Sequence, residues 1–190
     1  MVQEKLDGSC VVVCRRGGAL LAMGREGLPA AESRNDGRRL FASWVAENTG
    51  RFEALREGER AACEWLPIAH GTRYSLAHEP IALLDVLTAD GGRLGTDAVT
   101  AWASAAGLPR PAVLHDGGAI AVAEALARLG EHGRHGAEDA AEGVVYRVER
   151  AGLVVALAKW VRHEKVDGRY LADETGLDHV HNTWPSPERR

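Results

Sequence analysis

The chain has 190 residues and a net charge of −4, with 45% hydrophobic and 26% charged residues, which suits one globular domain with a core of its own. The acidic balance excludes a surface that grips nucleic acid everywhere by charge, and leaves only a local basic groove open. No apolar run approaches the ~20 residues of a membrane span, and no secretory pattern opens the chain, so a reduced cytoplasm is expected.

Val11–Cys14 and Ala19–Met23 are short apolar runs on either side of Arg15-Arg16-Gly17-Gly18, a pattern that predicts a hairpin turning at the two glycines. Leu40–Glu47 reads as a helix with Leu40, Trp44 and Val45 on one face, ended by Asn48-Thr49-Gly50. Ile81–Leu84, followed by Asp85, reads as a buried strand, and Thr96 as the cap of a helix carrying Val99, Trp102 and Ala103. A further helix is expected from Ala119 to Leu129, stopped by Gly130. A Gly/His/Glu-rich loop follows over Glu131–Ala141, and then a hairpin of Gly143–Val148 and Leu153–Val161 turning near Arg150-Ala151-Gly152. The division expected is a domain over 1–171 and a frayed polar tail over 172–190, with Pro185 and Pro187 in it. The mixture is α+β, with strands bracketing a helical middle.

Cys10, Cys14 and Cys63 form no zinc pattern, and their odd number argues against a disulfide framework, so Cys10 and Cys14 read as buried thiols. His132, His135, His179 and His181 read as solvated, and Trp44, Trp102 and Trp160 as core residues. Basic residues collect in two places: Arg15, Arg16, Arg25, Arg34, Arg38 and Arg39 early, and Arg147, Arg150, Lys159, Arg162, Lys165 and Arg169 late.

The chemistry is concentrated around Glu4-Lys5-Leu6-Asp7-Gly8, with Glu142-Gly143-Val144-Val145 and Ala158-Lys159-Trp160-Val161-Arg162 far downstream. A lysine attacks phosphorus only as a free amine, phosphates are clamped by arginine and lysine, and a hard cation needs carboxylate oxygens. Each kind of group is present. A second copy, Lys165-Val166-Asp167-Gly168, is followed by too little chain to supply further strands, so Lys5 is the expected nucleophile and Lys165 the decoy.

Taken together, these segments resemble the ATP-dependent RNA ligases, within the covalent nucleotidyltransferases that include DNA ligases and mRNA capping enzymes. Lys5-Leu6-Asp7-Gly8 is similar to the motif whose lysine carries the nucleotide, and Gly24-Arg25-Glu26-Gly27 to one whose arginine contacts phosphate. Glu64-Trp65-Leu66 resembles the segment whose glutamate holds ribose, and Pro80–Val86 the apolar strand ending in aspartate. Glu142-Gly143-Val144-Val145 resembles the metal-holding motif, and Lys159 the lysine on the α-phosphate. The resemblance spans residues 4–171. It departs from the family where Cys10 replaces a common asparagine, Cys63 a glycine, and aliphatic Ala82, Leu83 and Leu84 the base-stacking aromatic.

The resemblance implies a nucleotidyltransferase (ATP-grasp-like ligase) fold of antiparallel sheets with flanking helices. It implies an enzyme, monomeric, that joins 5′-phosphate and 3′-hydroxyl RNA ends through a lysyl-AMP, using ATP and Mg²⁺ or Mn²⁺. The catalytic pair is then Lys5 and Lys159. Glu4, Arg25, Glu64, Glu142 and Lys159 bind nucleotide, Glu142 holds the metal, and Arg162 and Lys165 touch nucleic acid. Two other readings stand beside it: nucleotidyl transfer to a different acceptor, and a non-catalytic module that binds nucleotides or RNA ends.

Overall fold

Two antiparallel four-stranded sheets organise residues 1–185, the part of the chain that the computed structural model describes. One sheet has the order β3-β2-β4-β5, from β2 (Ser9–Arg16), β3 (Ala19–Gly24), β4 (Arg60–Trp65) and β5 (Ile81–Leu87). The other has the order β6-β1-β7-β8, from β1 (Val2–Lys5), β6 (Val113–His115), β7 (Gly143–Arg150) and β8 (Leu153–Val161). Helices α1 (Asp36–Glu47), α2 (Thr96–Ala106), α3 (Val122–Leu129) and the short α4 (Ala172–Thr175) complete the α+β arrangement. No described helix is long and apolar enough to cross a membrane.

Both predicted hairpins form, and their turns explain why. Gly17 and Gly18 have φ of +59° and +77°, and Ala151 and Gly152 have +49° and +76°. Two successive positive φ values match the right-handed twist of the strands they join. Ala151 takes the left-handed conformation without glycine's freedom, which makes the second turn the more strained of the two.

The main core lies between the first sheet and helices α1 and α2, where Val11, Val13, Trp65, Ile81 and Leu83 meet Phe41, Val45, Phe52, Val99 and Ala103. A second core packs α3 on the other sheet through Val2, Val144, Ala125 and Leu129. A third, smaller group of Leu6, Leu66, Tyr74, Leu76 and Ala82 fills the junction between the sheets. Trp44 and Trp102 pack on Phe52, and Trp160 on the α3 core, as expected of core residues.

Several expectations are corrected. Helix α1 begins at Asp36 because the Asn35 side chain accepts the Arg38 N–H at 3.1 Å, and its inner face is Phe41 and Val45, while Leu40 is exposed. Thr96 is the first residue of α2 rather than its cap, with its hydroxyl on Glu149 at 2.5 Å. Helix α3 starts at Val122 rather than Ala119, and ends at Leu129 with Gly130 as its cap, the predicted stop. His135 is buried, not solvated: its Nδ1 lies 2.8 Å from His78 Nε2, and burial together with His78 lowers its pKa to about 4. Cys14 is buried but Cys10 only half so, and all three cysteines are free.

The frayed tail is also corrected. Asn182 is buried, with its side chain accepting the Tyr74 N–H at 2.7 Å and donating to the Leu66 carbonyl at 2.6 Å. Isolated bridges join Ile68 to His181 and Ser75 to Thr183, so the segment up to residue 183 closes over the sheet junction. Pro187 lies outside the described residues.

Candidate functional site

The site sits where β1 leaves the second sheet and the chain crosses to β2 of the first. Leu6-Asp7-Gly8 makes the crossing, and only glycine fits its last position, since a Cβ on Gly8 would stand 2.5 Å from the Trp65 carbonyl. The Gly8 N–H is left to donate to Glu64 Oε1 at 2.9 Å, and the Asp7 N–H donates to the Tyr74 hydroxyl at 3.1 Å. Backbone bonds thus pin the segment that follows Lys5.

Strand alternation sorts the side chains. Gln3 pairs with Val145, Lys5 with Gly143, Val145 with Lys159 and Arg147 with Leu157. One face of the second sheet therefore presents Gln3, Lys5, Val145, Arg147, Leu157 and Lys159 together. Opposite them stand Glu64, Leu84 and Asp85 of the first sheet, with Arg93 beside them, and between lies a cavity of about 400 Å³. Aliphatic Leu84, Val145 and Leu157 supply its apolar wall.

Glu142 links the cavity's Lys5 to a second lysine. Its Oε2 binds Lys5 Nζ and its Oε1 binds Lys165 Nζ. Lys165 also lies 2.8 Å from Asp7 Oδ1 and 2.9 Å from Asp167 Oδ1, and its side chain is only 8% exposed. Burial works against its charge, but the hydrogen bonds it donates to Asp7, Glu142 and Asp167 prevail and hold its pKa above the ordinary lysine value. The other Asp7 oxygen accepts the Gly71 N–H at 2.8 Å. Gly71 makes room for this, because a Cβ there would meet the Val166 carbonyl at 2.5 Å.

Burial raises the Glu64 pKa to about 7; Lys5 and the Gly8 N–H pull the other way, and the carboxylates of Glu142 and Asp7 add to the rise. Higher in the cavity, Asp85 binds Arg147 Nη1 at 2.6 Å through one oxygen and Arg93 through the other. Gln3 Oε1 and Arg147 Nε are buried without a hydrogen-bond partner among the described residues.

The structure thus brings Lys5, Glu64, Glu142 and Lys159 together, with Lys165 joining them on Glu142. Glu4 is set apart: its carboxylate is buried, accepts the Arg134 N–H at 2.8 Å, and is pushed up to about 7 by burial against the opposing pull of Arg134. Arg25 is exposed on the turn after β3, close enough to Cys10 for its charge to act on that thiol. Arg162 spends its guanidinium on the Ala141 carbonyl at 2.8 Å and the Gly130 carbonyl at 2.7 Å, tying down both ends of the 131–141 loop.

Sequence reasoning missed Gln3, Arg93 and the placement of Arg147. Arg147 carried a signal, since it stands two positions after Val145 and so shares its face. Arg93 lies in the turn segment after β5 and carried none.

The donor set does not suit the metal that the motifs imply. Among the described residues no group of three or more His, Cys, Asp or Glu is placed to hold an ion. Both oxygens of Glu142 and both of Asp7 are already engaged by ammonium or N–H groups. The residues do not fit a resident Mg²⁺, and Glu142 is not presented as a free metal ligand.

A two-sheet α+β protein with a lysine, carboxylates and arginines converging between its sheets has the equipment of a phosphoryl-handling enzyme. A family model described as RNA ligase matches residues 1–161, and the chain belongs to that family. No curated protein and no solved structure was found to match it.

Proposed function

We propose that the protein is an ATP-dependent RNA ligase that works through a covalent adenylate on Lys5. The observation that carries this reading is the position of Lys5: it ends β1 on the cavity face, is bonded to Glu142, and has Glu64 and Lys159 on the same cavity. Leu84, Val145 and Leu157 would take the faces of the nucleobase, and the unpartnered Gln3 Oε1 would accept from its amino group. Glu64 would hold ribose hydroxyls.

In the first step the Lys5 ammonium gives a proton to a base, with Glu142 Oε2 the acceptor it already touches. The Nζ lone pair then forms a bond to the α-phosphorus while the bond to the bridging oxygen breaks, and pyrophosphate leaves with that electron pair. Lys159 and the cavity arginines would offset the charge that grows on the phosphoryl oxygens. In the second step an RNA 5′-phosphate oxygen displaces Lys5 from phosphorus, and in the third a 3′-hydroxyl attacks the 5′-phosphate and expels AMP.

The test is incubation with α-labelled ATP and Mg²⁺, followed by denaturation and peptide mapping. One AMP on Lys5, lost in Lys5→Ala, supports the reading, and label on Lys165 overturns the choice of nucleophile. If Lys5 charges but no sealed or adenylylated RNA forms at any ionic strength, transfer to another acceptor replaces ligation.

A further inference from the structure

The Lys165 ammonium meets three carboxylate oxygens, and with the lysine in place they form no group open to a metal ion. It is held by single oxygens of three carboxylates, from the β1–β2 crossing (Asp7), the residue before β7 (Glu142) and its own segment (Asp167). Two of the three, Asp7 and Glu142, are buried, at 5% and 4% exposure. Oxygen-only coordination by carboxylates from separate segments is the chemistry of a hard cation.

The charges also balance. Within the buried part of the cluster Lys5 and Lys165 contribute two positive charges and Asp7 and Glu142 two negative ones, while the third carboxylate, Asp167, is 92% exposed and left to solvent. A buried cluster that closes its own balance gains nothing from a further ion, whereas one with a charge removed is left with an uncompensated carboxylate. A metal ion bound here would have to expel an ammonium first.

We infer that Lys165 is a built-in cation, a positioning residue that stands where a metal ion would otherwise cross-link Asp7 and Glu142, and that it sets the Glu142 carboxylate against Lys5. The second Lys-x-Asp-Gly segment is then a working part of the site. It is carried there by the stretch after β8, which is fixed by the Tyr170 N–H donating to the His70 carbonyl at 2.8 Å and by the Tyr170 hydroxyl on Asp139 at 3.1 Å. The catalytic consequence rests on the reading of Lys5 as nucleophile, but the placement of the cation does not. A test without nucleotide therefore separates failure of this inference from failure of that reading.

The test titrates nucleotide-free protein with Mn²⁺ alone, following free Mn²⁺ by electron paramagnetic resonance. Lys165→Met keeps the length of the side chain and removes its charge. It is expected to gain one Mn²⁺ at least tenfold tighter than any site of the wild type, and to lose it on adding Asp7→Asn. Lys165→Arg, which restores the charge, is expected to behave as the wild type. Equal Mn²⁺ affinity in wild type and Lys165→Met overturns the inference. Should Lys165→Met fail to fold, the wild type decides: Mn²⁺ binding that Asp7→Asn weakens tenfold overturns it, and binding indifferent to Asp7→Asn upholds it.

Discussion

Asp85 holds Arg147 at 2.6 Å with one carboxylate oxygen and engages Arg93 with the other, so one residue of the first sheet fixes both the arginine that faces it across the cavity and the one beside it. The Arg147 side chain is 1% exposed and has no solvent to fall back on. Asp85→Asn should therefore destabilise the fold by about 3 kcal/mol, because the buried cation keeps only the longer contact to Glu149, at 3.6 Å, as counter-charge. Urea unfolding checks this, and Asp85→Asn combined with Arg147→Met should recover part of the loss. A midpoint unchanged in the single variant would show that the pair is not what holds the arginine.

Glu142→Gln keeps the shape of the side chain and removes the charge that both lysines share. Lys5 charging with AMP should slow by about 100-fold, the scale seen when one electrostatic partner is taken from a reacting group. Circular dichroism should show the fold retained. Charging at the wild-type rate under saturating ATP would remove Glu142 from the mechanism.

Glu4 offers a pH test away from the chemistry. Its carboxyl is raised from 4.5 to about 7, so between those values the folded state keeps a proton that the unfolded state has released. Stability then falls as pH rises through that window and stays lowered above it. Glu4→Gln removes the titration and leaves an acceptor for the Arg134 N–H. The variant should match wild type near pH 4 and exceed it by roughly 3 kcal/mol at pH 8, the scale set by about 1.4 kcal/mol for each tenfold change in proton affinity. Thermal melts across that range measure the difference, and a gap that does not depend on pH would contradict the assignment.

Glu64 titrates near the same pH but lies in the site. As pH drops through about 7 it takes up a proton and becomes a poorer acceptor for ribose hydroxyls. The KM for ATP in Lys5 charging should accordingly rise as pH falls below about 7, and Glu64→Gln should lose that dependence while keeping a high KM throughout. An inflection that survives in Glu64→Gln would belong to another group.

Arg162 separates a structural from a phosphate-binding role. With its guanidinium on the Gly130 and Ala141 carbonyls, Arg162→Ala should cost about 1–3 kcal/mol by leaving those acceptors unmet. The slope of log affinity for 5′-phosphorylated RNA against log salt should stay as in wild type. A slope shallower by about 0.7–0.9 would mean that Arg162 neutralises a phosphate, as the sequence reading expects.

What the sequence determined by itself was local or carried by short motifs. Gly17-Gly18 and Ala151-Gly152 mark hairpins because their turn geometry is written in adjacent residues, and Gly130 stops α3 by the same logic. The Lys5-Leu6-Asp7-Gly8 segment pointed to its neighbours on the site, Glu64, Glu142 and Lys159, through motif resemblance. Strands β1, β4 and β6 were not legible: β1 is only four residues long and mostly charged or amide, β4 runs through alanine and cysteine, and β6 has three residues. Their strand character comes from the neighbours that pair with them. Only the tertiary structure decided that Lys165 meets Lys5 on one carboxylate, that Asn182 docks its segment on the Leu66 carbonyl, and that the Glu4 carboxylate is spent on the Arg134 N–H. These are contacts between segments distant in sequence, and they follow from which sheets and loops pack together, which no local window of residues encodes.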